Sequence, residues 1–189
     1  MNKQKWYTFI TYSFSILILL FIILARYFVF DYIILDNHSM EPNYSSNRIL
    51  INSRIFKPER FDTVVIKDED KDKKLLVRII GIPGDHIKFE YDTLYINDKK
   101  IDETYLMDYL DHYNNDTIQQ IYSKMELKLP SDQRAFTQDK NMQPVFEVAL
   151  GKDEYYVLGD NRPFAIDSRS FGKLKYGDLY SETLFKLPW

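Results

Sequence analysis

Leu75-Leu76-Val77-Arg78-Ile79-Ile80-Gly81-Ile82-Pro83-Gly84-Asp85 is the stretch that decides the fold. Its first seven residues are dominated by Leu, Val and Ile, and Ile82-Pro83-Gly84-Asp85 is a turn signal, so the run reads as a strand ending in a tight turn. The same pattern repeats on both sides. RILINS (48–53) and TVVIK (63–67) precede it, and HIKFE (86–90) and TLYIN (93–97) follow. All are short, rich in aliphatic and aromatic residues, and bounded by Asn, Asp, Gly or Pro. YFVFDYIIL (27–35) and EYYVLGD (154–160) read as further strands. Asn97-Asp98-Lys99-Lys100 closes a hairpin, and the charge run DEDKDKK (68–74) reads as a solvated hairpin tip. Residues 103–129 are different: polar, with Tyr105, Leu106, Tyr109, Leu110 and Tyr113 at helix-like intervals. They predict a short helical or irregular insertion. A polar loop follows over 130–145, and strands resume near Phe146. The fold class expected is mainly β and mostly antiparallel.

Ahead of these strands, residues 6–25 (WYTFITYSFSILILLFIILA) carry no charge. About 20 apolar residues match a hydrocarbon core of about 30 Å. Trp6, Tyr7 and Tyr12 lie toward one end and Tyr27 toward the other, where interfacial aromatics collect. Lys3 and Lys5 precede the span, so the N-terminus is expected in the cytoplasm and the rest outside. The apolar run is longer than the roughly 7–15 residues of a secretory signal, and Arg26-Tyr27-Phe28 is unlike a cleavage site. Residues 1–26 are therefore expected to be cytoplasmic N-terminus and transmembrane anchor, and 27–189 an extracytoplasmic domain with a variable insertion at about 103–145.

Composition narrows the chemistry. The 189 residues hold 25 Lys+Arg and 28 Asp+Glu, a net charge of -3, which argues against a nucleic-acid binder. There is no cysteine, hence no disulfide, thiol nucleophile or thiolate metal site. His38, His86 and His112 have no metal-ligand spacing, and no glycine-rich phosphate loop is present. Neither a metal nor an organic cofactor is predicted.

Three groups of residues occur in a telling order behind the anchor. They are His38-Ser39-Met40-Glu41-Pro42, then Arg78-Ile79-Ile80-Gly81-Ile82-Pro83-Gly84-Asp85, then Gly159-Asp160-Asn161-Arg162 with Asp167-Ser168-Arg169 and Gly172. In that order they resemble the conserved boxes of bacterial type I signal peptidases, over nearly the whole chain, and most of all those of Gram-positive, streptococcal type. The resemblance implies a Ser/Lys protease of mainly β fold at the outer membrane face. Such enzymes cut exported preproteins after a small-x-small motif, with the substrate docked as an added strand. Ser39 stands at the nucleophile position. Met40, Pro42 and Arg78 stand at positions that shape the groove. Asp160, Asp167 and Arg169 admit two readings, an acid/base set or a salt-bridged scaffold, and the scaffold is favoured.

Two departures disable the expected chemistry. In the family the general-base lysine directly precedes the arginine of the second box; here that position is Val77. Valine has no lone pair with which to activate Ser39. The family serine that orients the lysine amine is Ala165 here. The two changes together read as one event, a pocket turned apolar. Asn37, two residues before Ser39, has an amide that could donate to an oxyanion. Four other groups are candidate replacement bases. Lys73 is about 13 Å from Val77 along a strand. Lys74 faces the other side, and His38 as a strand neighbour of Ser39 would point away from it. Lys67 on the partner strand stays open.

The function expected is a membrane-anchored signal peptidase I-like protein whose proteolysis is lost or very weak. It would bind exported preproteins or pilin subunits as extended chains, beside the lipid bilayer and sortase or pilus machinery. Signal-peptidase-like proteins lacking catalytic residues that assist pilus assembly resemble it in kind. The alternative is an active signal peptidase with Ser39 as nucleophile and a displaced base.

Overall fold

A computed structural model describes residues 3–68, 73–115, 117–129, 131 and 133–187. It begins with the helix α1 (Lys3–Phe28), none of whose residues is buried in the protein. At 1.5 Å per residue it is about 39 Å long, enough to cross a bilayer, and its composition is apolar enough to do so. The helix runs three residues further than the apolar stretch and takes Tyr27 and Phe28 from the predicted first strand. Nothing between Ala25 and Phe28 breaks a helix, and the Val29 N–H still donates to the Ala25 carbonyl at 2.9 Å.

Eleven strands are described after α1: β1 (Phe30–Ile34), β2 (Ile49–Ser53), β3 (Thr63–Asp68), β4 (Lys73–Gly81), β5 (His86–Glu90), β6 (Thr93–Ile96), β7 (Lys99–Ile101), β8 (Val145–Ala149), β9 (Glu154–Leu158), β10 (Leu174–Lys175) and β11 (Leu179–Lys186). They form two sheets, ordered β1-β2-β11-β3-β4-β9-β10 and β7-β6-β5-β8. Every recorded pairing is antiparallel. The mainly β expectation therefore holds. β7, β10 and β11 were not foreseen, although β11 lies between β2 and β3 inside the larger sheet. Of the predicted charged hairpin tip, 69–72 lie outside the described residues.

β4 organises the core because it has two buried faces. Leu76 packs with Ile33, Leu35, Met40, Leu50 and Val65 on one side. Val77 and Ile79 pack with Val64, Ile66, Val157 and Leu179 on the other. Further on, Ile80 joins Ile87, Phe89, Leu94, Ile96 and Leu158, which ties the two sheets together. Gly81 sits at a register shift against β9. A side chain there would meet Ile87 Cδ1 at 2.3 Å and Leu150 Cδ1 at 2.6 Å, so the close approach of the sheets requires glycine.

The turn after β4 is held by Asp85. Its carboxylate accepts from Arg60 Nη1 at 2.8 Å, from the Ile82 N–H at 2.8 Å and from Asn97 Nδ2 at 3.0 Å. Burial alone would raise the Asp85 pKa, but these donors and the Arg60 charge more than offset it and hold the carboxyl below its ordinary value. A carboxylate with a depressed folded pKa contributes stability above its unfolded pKa, and loses it as pH falls through the folded one. The melting temperature should therefore drop on acidification below about pH 4. Asp85→Asn should lower the melting temperature at neutral pH and flatten that acid limb, as a thermal melt series read by circular dichroism would show. An unchanged limb would remove Asp85 as its source.

The predicted insertion contains a 3-10 turn (Thr104–Leu106) and two short helices, α2 (Met107–Asn114) and α3 (Ile118–Ser123). Leu106, Tyr109, Ile118, Tyr122 and Phe136 form its own core, against which Phe164 packs. A last helix, α4 (Ser168–Phe171), follows Asp167, whose side chain caps it by accepting from the Arg169 N–H.

Candidate functional site

Ser39 lies in a loop of turns between β1 and β2, closed by backbone bonds from Leu35 to Arg48 and from Asn47 to Leu35. Met40 anchors the loop, 1% exposed in the core beneath it. The Ser39 hydroxyl donates to Asn37 Oδ1 at 2.6 Å, and the Ser39 N–H donates to the same oxygen at 2.9 Å. Asn37 thus presents its acceptor to Ser39, while its Nδ2 donates to Asp36 Oδ1 at 3.1 Å. In this arrangement the donor foreseen for an oxyanion is turned to Asp36. An amide oxygen accepts a hydrogen bond but is no base at physiological pH.

Ala165 stands close to the serine loop. A Cβ on Gly159 would lie 2.3 Å from Ala165 Cβ and 2.7 Å from the Ser39 carbonyl oxygen, so the glycine lets the last box press against the loop. Gly159 directly follows Leu158, the partner of Arg78 across β9 and β4. Val77 is 1% exposed and opposite Val64. Its surroundings are aliphatic, as is the Ala165 methyl.

Of the groups named as replacement bases, Lys67 and Lys74 are engaged elsewhere. Lys67 pairs across from Lys74, and strand alternation puts both on the face opposite Val64 and Val77. Lys67 Nζ lies 4.3 Å from the centre of the Tyr180 ring. Lys74 forms a hydrogen-bonded ion pair with Asp31. Burial would raise the Asp31 pKa, but the hydrogen bond and charge of Lys74 prevail, and the carboxyl sits below its ordinary value. His38 lies in the turn rather than on a strand, so strand alternation does not orient it; its Nδ1 is 3.6 Å from Glu41 Oε1. The side chain of Lys73 lies outside the described residues.

Around the loop is a set of buried ion pairs. Asp160 accepts from Arg78 Nε at 2.8 Å, Arg78 Nη2 at 2.6 Å and Asn43 Nδ2 at 2.8 Å. Arg78 also stacks on Tyr105, 4.1 Å from the ring centre. Burial would lower the Arg78 pKa, but the Asp160 carboxylate raises it above its ordinary value. Asp167 accepts from the Gly159 N–H at 3.0 Å and from Arg169 Nε and Nη2 at 2.8 and 2.7 Å. Arg169 reaches on to the carbonyls of Arg162 and Gln138. Both carboxylates are thus held by several donors, Asp160 by residues of β4 and the serine loop and Asp167 by its own C-terminal segment. Pro42 closes the loop's first turn, and Met40 Sδ accepts from the Asp160 N–H at 3.5 Å.

Sequence reasoning missed two members. Arg162 is 1% exposed and pairs with Glu103 from the insertion. Asn161, also fully buried, donates from its backbone to Ser39 O at 2.9 Å and from Nδ2 to His38 O at 2.8 Å. Both belong to the quoted box, but only the packing of the insertion reveals their partners. Among the described residues no group of three or more acidic or histidine side chains is placed to hold a metal.

The structure thus combines an apolar N-terminal helix, a two-sheet antiparallel β domain, and a serine loop braced by the two arginine-bearing boxes. The sequence comparisons place it: the family described as signal peptidase, peptidase S26, matches residues 7–189, and the chain belongs to that family. Signal peptidase I of Streptococcus pneumoniae serotype 4 is 36% identical over 181 residues, covering 91% of this chain and 89% of that protein. Signal peptidase I U of Bacillus subtilis is 33% identical, covering 89% and 80%. A crystal structure of a signal peptidase I from Enterococcus faecalis aligns with 68% of this chain and 97% of its own, with TM-score 0.49 and 28% identity.

Proposed function

We propose that this signal peptidase I-like protein holds exported polypeptides at the outer membrane face and cleaves them very weakly or not at all. The observation that carries the reading is the Ser39 hydroxyl, which donates to an amide oxygen while the base position is Val77 and its partner position Ala165. A hydroxyl with no base beside it is a poor nucleophile. The groove does not depend on that base. β9 pairs with β4 only from Arg78 onward, so among the described residues the Lys73–Val77 edge is unpaired on that side. An extended client can add there by main-chain hydrogen bonds. Preproteins and pilin subunits destined for a sortase are the clients this favours, with α1 in the bilayer and Lys3 and Lys5 in the cytoplasm. No cofactor or nucleic acid enters the reading.

The test is binding without turnover. The full chain in detergent should bind a fluorescent peptide spanning a small-x-small cleavage motif saturably, by anisotropy, while mass spectrometry recovers the peptide intact. Absence of saturable binding would overturn a retained groove. A second reading, an active peptidase with a displaced base, is favoured by the relatives, which are named as signal peptidases. Cleavage above the Ser39→Ala level would select it.

A further inference from the structure

The two peptide groups that flank the Ser39 Cα are both gripped by one residue. Asn161 donates to the His38 carbonyl through Nδ2 and to the Ser39 carbonyl through its backbone N–H. Together these bonds fix the direction in which the Ser39 side chain leaves the backbone. Asn161 can do this only while its side chain keeps one rotamer. Its remaining group, Oδ1, accepts from the Tyr122 hydroxyl at 2.9 Å.

Tyr122 comes from α3 of the insertion, 39 residues away in sequence. It is fully buried. Its ring meets Phe164 edge-on with centroids 4.9 Å apart, and Tyr109 edge-on at 5.9 Å. These contacts leave the phenol little freedom. Burial pushes its pKa far up, so the hydroxyl keeps its proton. Without that hydroxyl, Asn161 Oδ1 would be a buried acceptor with no donor, an unfavourable state. Simply exchanging the amide oxygen and nitrogen offers no escape, since the oxygen would then face the His38 carbonyl. Relief requires the side chain to swing away and release His38.

We infer that Tyr122 is a positioning residue for the serine loop: the insertion, through its hydroxyl and Asn161, sets the backbone around Ser39. The insertion is thereby part of the site although it supplies no group to Ser39 directly. The inference does not rest on whether the chain cleaves, because its readout is backbone protection rather than turnover.

Hydrogen exchange of the full chain in detergent, read by mass spectrometry, tests it. Tyr122→Phe should speed exchange of the Ser39, Glu41 and Asn161 amides about tenfold, equivalent to about 1.4 kcal/mol of local opening. Protection in β3 and β4 should not change. Asn161→Asp keeps the acceptor for Tyr122 but loses the donor to His38, and should loosen the same loop. On an Asn161→Ala background Tyr122→Phe should add nothing, as coupling through one residue requires. Unchanged exchange in the loop, a uniform rise over the whole domain, or additive effects in the double variant would each overturn the inference.

Discussion

The chain and its Ser39→Ala variant should cleave a preprotein at indistinguishable rates. The combined change Val77→Lys with Ala165→Ser should raise the rate by orders of magnitude. Removing a triad-type base typically costs about 10⁴ to 10⁶ in rate, and what remains comes from binding and oxyanion stabilisation. Here the hydroxyl of Ser39 has Asn37 Oδ1 as its partner, which can orient it but not deprotonate it. Val77 sits among Val64, Ile79 and Val157, surroundings that would desolvate an amine placed there. Such desolvation lowers a lysine pKa toward the range in which it works as a base. The larger side chain would strain the packing by about 1–3 kcal/mol, which is why a melting curve belongs beside the assay. Cleavage by the parent chain at more than about ten times the Ser39→Ala rate would end the reading of a disabled peptidase; tenfold corresponds to only about 1.4 kcal/mol.

The largest loss of stability is expected at Arg162. Its guanidinium is buried and serves Glu103, Thr137 Oγ1 at 2.8 Å and the Gly159 carbonyl at 3.1 Å. Arg162→Met would leave the Glu103 carboxylate buried without its cation, a situation that costs about 3–5 kcal/mol. For a chain of this size each kcal/mol moves the melting temperature by about 2–4 °C, so a drop of roughly 6–20 °C is expected. Glu103→Gln in the same chain should recover part of it, because the uncompensated charge is gone. Calorimetry of the parent and the two variants checks this, and an Arg162→Met chain melting within about 2 °C of the parent would contradict it.

The contrast between what could and could not be read from the chain is physical. β2, β3, β4, β5 and β6 announced themselves because each is a short aliphatic or aromatic run between turn residues, and Asn97 and Asp98 take the positive φ that a two-residue hairpin turn needs. β11 did not, because Ser181, Glu182 and Thr183 interrupt its apolar residues, and its place is fixed by pairing with β2 and β3. The sequence motifs located Ser39, Val77 and Ala165, but not what surrounds them. The Asn37 acceptor is local, two residues from Ser39, but an amide can turn either its oxygen or its nitrogen to a neighbour and the sequence does not say which; the Lys67 amine over Tyr180 and the Glu103–Arg162 pair depend on contacts between distant segments, which no local pattern encodes.

The position of β11 also governs how the molecule comes into being. β2 and β3 do not touch each other as neighbours; they are joined through a strand synthesised more than a hundred residues after them. A chain made from its N-terminus onward therefore has its larger sheet split in two until Leu179–Lys186 is available. Closure of such long-range pairings is slow. The larger sheet consequently closes last, as a late zipper, rather than segment by segment as the chain grows.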